Sequence, residues 1–322
     1  MNIVFHGNNA LTFLPGFREH LGAGHDITHL PDVLETDVQR AAYAGADVIV
    51  GARLQAGLPV GPGLKLFHVP GAGYDGIDFA CLPEATPVCN CFGHEAAIAE
   101  YVMAALLARH VPLADADARL RRGDWTYWAG GPSGLRTELG AQTIGILGYG
   151  HIGKAVAARA AAFGMTVVVA NRSPVAAEAP VSAAMPLTDL PAFMAAADII
   201  VNTLPLAEST RGLVGAEALA AMRPEGVIVN VGRGAVIAEQ PLFEALQAGR
   251  IAGAILDTWY VYPSPENPNP HPATLPFHTL DNVVLSPHMS GWTHGTVARR
   301  AEAMAANVAR LAEGAPLENR VR

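Results

Sequence analysis

The sequence predicts an α/β protein with two domains, each built on a doubly wound parallel sheet. Short apolar runs alternate along the chain with helix-length segments, which is the pattern of parallel strands joined by crossover helices. A length of 322 residues is enough for two cores of ordinary size. Because 51% of the residues are hydrophobic and only 16% are charged, most of the chain has to be buried.

The first part of the chain reads as short α/β units. Its apolar runs predict strands at Asn2–His6, Asp47–Val50, Leu64–His68 and Pro87–Cys91. From Glu95 to Arg122 an Ala- and Leu-rich stretch without glycine before its end predicts one long helix, kinked at Pro112.

The second part repeats strand and helix regularly enough to predict one parallel sheet. Its predicted strands are Ile144–Leu147, Val167–Ala170, Ile199–Thr203, Val227–Val231, Ala254–Asp257 and Val283–Ser286. No predicted strand of that sheet follows the last helix, Thr296 to Glu313, so we expect this helix to pack against the first domain. The predicted first domain is therefore discontinuous, residues 1–100 and 290–322, and the second comprises 101–289.

Charge and cysteine content narrow the possible partners and location. A formal net charge of −8 argues against nucleic acid or an anionic membrane as a partner. Neither a signal peptide nor an apolar run long enough to cross a bilayer is evident, and we expect a cytoplasmic protein. The cysteines Cys81, Cys89 and Cys91 form an odd, compact set that implies no disulfide framework, and no metal site is expected.

The segment Gly148-Tyr149-Gly150-His151-Ile152-Gly153 predicts dinucleotide binding because its context fits. It follows the strand Ile144–Leu147, opens an Ala-rich helix, and is followed by a second strand at the spacing of a βαβ unit. In such a Rossmann-like unit the first glycine permits a tight turn, the second lets the backbone approach a pyrophosphate, and the third lets helix and strand pack closely. The helix N-terminus adds N–H donors for the phosphates.

The end of the second strand, Asn171-Arg172-Ser173, favours NADP over NAD. An NAD site usually carries an acidic residue here for the ribose hydroxyls. That carboxylate is absent, and the guanidinium of Arg172 suits a 2′-phosphate. Alternatively, Arg172 is a solvated loop residue and Asn171 serves the ribose of NAD.

Open α/β sheets bind ligands at the carboxyl ends of their strands, and three further predicted strand ends carry polar side chains. Arg233 stands between glycines after one strand, Asp257 ends the next, and His288 follows the last. Together they supply a clamp for an anion and a carbonyl, a partner for a nicotinamide carboxamide, and a proton donor that titrates near neutrality.

At this point the chain resembles the D-isomer-specific 2-hydroxyacid dehydrogenases over nearly its whole length. The segments that carry the likeness are Gly71–Asp78, Ala99-Glu100, Gly148–Gly153, Phe163–Met165, Leu204–Leu206, Ser209–Gly212, Asn230–Ile237 and Leu285–Thr293. The resemblance implies a cleft between the domains, an NADP or NAD cofactor with NADP favoured, and a small 2-keto or 2-hydroxy acid as substrate, in a homodimer.

The resemblance also implies roles for particular residues. Arg233 would bind the substrate carboxylate and carbonyl, His288 would protonate the carbonyl oxygen, and backbone N–H groups of Ala72 and Gly73 would bind the carboxylate. Trp292 is expected to shape the substrate pocket, with packing between the domains as the alternative. The remaining expected cofactor contacts are Leu204, Pro205, Thr210, Val231, Asp257, His288 and Gly291.

One departure from the family pattern concerns the partner of His288. The family usually places a glutamate five residues after the strand-end aspartate, where it pairs with the histidine. Here Tyr262 occupies that position, and we include it with Arg233 and His288 among the candidate catalytic residues. A phenol can orient an imidazole but lacks the charge that raises a histidine pKa. Glu266 is an alternative source of that charge.

Two other functions remain open from the sequence. Trp259-Tyr260 and the Pro-rich stretch after them are similar to the formate dehydrogenase branch, so oxidation of formate or phosphite is one alternative. A nucleotide-sensing binding protein of the same fold is another. Retention of both Arg233 and His288 favours an enzyme that reduces a glyoxylate-type 2-keto acid.

Overall fold

The computed structural model describes residues 1–264 and 267–322, which form two compact units. One unit combines Met1–His94 with Trp292–Arg322, and the other is Glu95–Gly291. Glu266, the alternative partner considered for His288, lies outside the described residues.

The first unit contains a parallel sheet in the order β2-β1-β3-β4-β5. Its strands are β1 (Asn2–His6), β2 (Asp26–Leu30), β3 (Val48–Gly51), β4 (Leu66–His68) and β5 (Val88–Cys89), and its first helices are α1 (Gly7–Leu11), α2 (Leu14–His20) and α3 (Asp37–Ala44). The sequence did not predict β2. This edge strand alternates exposed and partly buried residues and lacks the continuous apolar run of a central parallel strand.

The second unit contains a parallel sheet in the order β12-β11-β10-β9-β6-β7-β8. Its strands are β6 (Thr143–Leu147), β7 (Thr166–Asn171), β8 (Ala183–Pro186), β9 (Ile199–Asn202), β10 (Val227–Asn230), β11 (Gly253–Leu256) and β12 (Val283–Leu285). Its helices are α4 (Glu95–His110), α5 (Leu113–Leu120), α6 (His151–Ala162), α7 (Leu190–Ala195), α8 (Ala216–Ala220) and α9 (Glu239–Gln247). The predicted doubly wound sheet is confirmed, with β8 as an added edge strand. Ala and Pro in β8 gave no strand signal.

The long helix expected from Glu95 to Arg122 is wrong, because two helices occupy this stretch. Helix α4 ends at His110, Pro112 caps α5, and the two axes differ by 45°. Proline lacks the N–H that a continuing helix requires and disfavours helical backbone in the preceding residue. No single described helix is long and apolar enough to cross a membrane; α4 and α5 meet that test only as a bent pair.

The last helix, α10 (His294–Glu313), packs against α2 of the first unit. Thr293 caps its N-terminus and Gly314, with φ of +70°, ends it. Asn307 on α10 is buried and lies 3.0 Å from Nε2 of the buried His68 at the end of β4. A polar contact thus ties this helix to the sheet.

Candidate active site

The glycine loop of the second unit has the shape that a dinucleotide pyrophosphate requires. Gly148 has φ of +90°, and a Cβ at this position would lie 2.9 Å from Leu204. At Gly153 a Cβ would collide with the carbonyl oxygen of Gly148, whereas at Gly150 it would meet no protein atom within 4 Å. Space at Gly150 and crowding at Gly153 match the roles expected of the two glycines. Helix α6 begins directly after Gly150, and no side chain caps it.

A cavity of about 790 Å³ opens beside this loop in the second unit. The predicted cofactor residues that line it are Gly148, Tyr149, Gly150, Asn171, Arg172, Leu204, Pro205 and Thr210. The sequence did not identify Leu187, Thr188, Leu190 and Pro191, which also line it and follow the edge strand β8. His151, Ile152, Gly153 and Ser173 do not line the cavity.

Asn171 and Arg172 do different things at the rim of this cavity. Asn171 Oδ1 accepts a hydrogen bond from the Tyr149 backbone N–H at 3.1 Å, and its Nδ2 donates to the Ser173 carbonyl at 3.0 Å. The amide therefore fixes the glycine loop. Arg172 is exposed and lines the cavity, and its guanidinium places a positive charge at the rim.

Arg233 stands at the end of β10 on a loop held by buried amides. Asn202 Nδ2 donates to Asn230 Oδ1 at 2.8 Å, and Asn230 Nδ2 donates to the Arg233 carbonyl at 3.2 Å. Both asparagines are almost fully buried. A Cβ at Gly234 would collide with the Trp259 carbonyl, so this loop packs against the chain that leads to Tyr262.

The loop that carries His288 is fixed by Asp257, which is completely buried. The carboxylate accepts hydrogen bonds from the Ser286 hydroxyl at 2.6 Å and from the backbone N–H groups of Met289 and Ser290 at 2.9 Å each. His288 has φ of +56°, a left-handed conformation that few non-glycine residues adopt. Asp257 therefore positions the histidine, a role the sequence did not predict.

Tyr101 on α4 extends this network, and the sequence did not identify it either. Its hydroxyl lies 2.6 Å from Ser286 Oγ, 185 positions away along the chain. Burial raises the pKa of Tyr101, so the phenol stays protonated at neutral pH. No local sequence pattern could have indicated a pair so far apart.

Tyr262 contacts His288 directly. Its hydroxyl lies 2.8 Å from His288 Nδ1, and the two rings are tilted by 53°. The Trp259 backbone N–H donates to the same hydroxyl at 3.1 Å. The Trp259 indole in turn donates to the Ser286 carbonyl at 2.7 Å. Tyr262 therefore lies where a partner for the imidazole is needed.

The other predicted substrate residues belong to the first unit. Ala72 and Gly73 lie on the loop after β4, where the buried Asn90 donates to the Ala72 carbonyl at 2.7 Å. Asn90 was not singled out from the sequence. Trp292 is 47% exposed and packs edge-on against Phe13, with ring centroids 5.8 Å apart. Val231 is buried below the Arg233 loop, and Gly291 ends the second unit.

Comparison with known proteins shows the family of this chain. The sequence pattern of the D-isomer specific 2-hydroxyacid dehydrogenase NAD binding domain matches residues 103–290. The hydroxypyruvate reductase of Thermotoga maritima is 32% identical over 85% of this chain and 83% of its own length. The glyoxylate reductase of Aeropyrum pernix is 35% identical over 79% of this chain and 75% of its own.

A solved structure covers almost the whole chain. The NADPH-dependent glyoxylate/hydroxypyruvate reductase of Sinorhizobium meliloti, in complex with NADP and malonate, matches with a TM-score of 0.79 and 26% identity. The match covers 99% of this chain and 96% of that one. The fold and site thus define a nicotinamide-dependent oxidoreductase.

This chain belongs to the D-isomer-specific 2-hydroxyacid dehydrogenase family. It is an NAD(P)-dependent enzyme that transfers a hydride between the cofactor and a small 2-keto or 2-hydroxy acid.

Proposed function

We propose that this protein reduces 2-keto acids of the glyoxylate and hydroxypyruvate type, with NADPH preferred over NADH. The observation that carries the proposal is His288, held by Tyr262 and Asp257 at the carboxyl edge of the sheet that bears the glycine loop. The names of the similar reductases support the substrate class. Arg172 at the rim of the cofactor cavity supports NADPH.

In this proposal each site residue has a separate task. A bound nicotinamide supplies the hydride. Arg233 binds the substrate carboxylate and polarises the carbonyl, and His288 Nε2 gives a proton to the oxygen. Ala72 and Gly73 remain the proposed carboxylate donors of the first unit. The glycine loop and the residues lining the cavity hold the cofactor.

A screen of 2-keto acids tests this function. Glyoxylate, hydroxypyruvate and pyruvate are offered with NADPH and NADH in parallel, and oxidation of formate and phosphite is measured alongside.

Arg233→Ala and His288→Ala should each lower turnover by at least about 100-fold while nucleotide binding persists. Arg250→Ala, at an exposed arginine after α9, is the matched control. Unchanged rates in both site variants would refute the assigned roles.

We also propose a cytoplasmic homodimer. Large apolar side chains are exposed in and after α5, namely Leu113 at 73%, Leu120 at 51%, Trp125 at 64%, Trp128 at 61% and Leu135 at 89%. Such a concentration of exposed apolar side chains favours a protein interface. Cys81, Cys89 and Cys91 are free thiols, which suits a reducing compartment. Sedimentation velocity should give twice the mass of one chain, and Trp128→Glu should shift the protein to monomer.

A further inference from the structure

The contacts of Tyr262 suggest more than orientation of the imidazole. In the usual arrangement a carboxylate accepts a hydrogen bond from the histidine and stabilises the imidazolium. Among the described residues, the group beside His288 Nδ1 is the phenol of Tyr262, which carries a proton of its own. The Trp259 N–H already donates to one lone pair of the Tyr262 oxygen, so this oxygen also has a fixed donor beside it.

We propose that Tyr262 and His288 form a proton relay in which the phenol donates to Nδ1 and Nε2 donates to the substrate oxygen. The proposal rests on the ketoacid reductase function proposed above. The 2.8 Å separation of Tyr262 Oη and His288 Nδ1 is a normal hydrogen-bond length. For the phenol to donate to Nδ1, the neutral imidazole must carry its own proton on Nε2. Nε2 is the atom that faces the substrate oxygen in this proposal.

The relay balances atoms and charge. As the carbonyl carbon receives the hydride, the π electrons move to its oxygen, which takes the proton from Nε2. Nδ1 takes the phenol proton, so the imidazole stays neutral and the negative charge moves to Tyr262 Oη. The Trp259 N–H hydrogen-bonds that phenolate. Tyr262 is 39% exposed and lines an apolar cavity of about 420 Å³, so it can recover a proton from solvent.

Three other ionisable groups of the described residues near the relay are held in place. Asp257 is buried, and its carboxylate accepts three hydrogen bonds. Tyr101 contacts Ser286, and Arg233 lies on the loop that packs against Trp259. These groups are common to wild type and a Tyr262 variant, so the difference between the pH profiles of the two proteins reports on the phenol.

The distinguishing experiment is the pH dependence of kcat/KM for Tyr262→Phe. With the relay, wild-type reduction should persist until the phenol ionises, near pH 10 for an ordinary tyrosine. Without the phenol the relay has no proton for Nδ1, so donation should require an imidazolium; a histidine pKa of about 6.5 would correspond to a rate loss of about 100-fold between pH 5.5 and 8.5. At pH 5.5 the two proteins should agree within about threefold. Tyr127→Phe, at another partly exposed tyrosine, serves as the control.

Two outcomes would overturn the relay. One is a Tyr262→Phe profile parallel to wild type, whether equal or uniformly lower, since a merely structural tyrosine would affect all pH values alike. The other comes from histidine nitrogen NMR of the cofactor-free protein, with His288 assigned by the resonance missing in His288→Gln. Above pH 7.5 we expect Nε2–H and bare Nδ1 in wild type; a protonated Nδ1 refutes the relay. This second readout is independent of turnover, so a wrong substrate class would not hide it.

Discussion

The carboxylate of Asp257 lies 2.6 Å from the hydroxyl of Ser286, and the two residues directly follow the adjacent strands β11 and β12. The same carboxylate accepts the N–H groups of Met289 and Ser290, the two residues after His288. The buried carboxylate that follows one strand therefore fixes the loop that carries His288 after the next strand.

Asp257→Asn tests this arrangement. An asparagine amide presents Nδ2, a donor, where the carboxylate accepts, so buried N–H groups lose their partner. We expect the free energy of unfolding to fall by about 2 kcal/mol or more, and kcat/KM by more than about tenfold. Urea unfolding and steady-state kinetics measure the two effects. Asp189→Asn, at an exposed carboxylate, should change stability by less than about 0.5 kcal/mol. Wild-type stability in Asp257→Asn would contradict the assigned role.

Arg172→Glu tests cofactor choice. Replacing the cation at the cavity rim with an anion removes a charged hydrogen-bond donor and repels a 2′-phosphate. A loss of about 1.5–3 kcal/mol corresponds to a Kd for NADPH that is about 10–150-fold weaker, with NADH affected far less. Titration of intrinsic or cofactor fluorescence gives both constants, and Arg250→Glu controls for net charge. If both cofactors weaken equally, Arg172 does not select between them.

Two alanine substitutions in the glycine loop should separate binding from folding. Gly150→Ala adds a methyl group that meets no protein atom, so the melting temperature should stay within about 2 °C while NADPH affinity falls at least tenfold. Gly153→Ala drives a methyl group against the Gly148 carbonyl and should also destabilise the protein, by about 1–3 kcal/mol. Thermal melts and cofactor titrations measure both. Full NADPH affinity in Gly150→Ala would contradict a pyrophosphate position next to Gly150.

Acid should destabilise the first unit through His68. Complete burial lowers the pKa of His68 to about 4, against 6.5 when exposed. The unfolded chain therefore binds the proton more readily, so stability is fully present above pH 6.5 and is lost as pH falls towards about 4. The loss is about 3 kcal/mol. Burial also lowers the pKa of His6, which acts in the same direction.

Urea unfolding from pH 7.5 to 4 measures this dependence. His68→Gln should flatten the slope of stability against pH, although His6 leaves a remainder. His20→Gln, at an exposed histidine, should keep the wild-type slope. If the slope of stability against pH is unchanged in His68→Gln, groups other than His68 cause the acid sensitivity.

The sequence predicted the central strands and the glycine loop, because both depend on local patterns. A buried parallel strand must be apolar along its length, and a pyrophosphate turn must carry glycines at fixed spacing. The edge strands β2 and β8 escaped because one side of an edge strand need not be apolar. The predicted bend at Pro112 is present, but the expected single helix is two helices, because composition indicated a continuous helix more strongly than one proline indicated a complete break.

By itself the sequence determined the fold class, the family and the residue types of the site, since strand pattern, glycine spacing and strand-end polar residues are all local. Only the tertiary structure decided which groups meet. Tyr262 and His288 are 26 positions apart and Tyr101 and Ser286 are 185 apart, yet each pair shares a hydrogen bond. A hydrogen bond tolerates only a few tenths of an ångström of variation in its length and a limited range of angles. Both are set by how strands and loops pack.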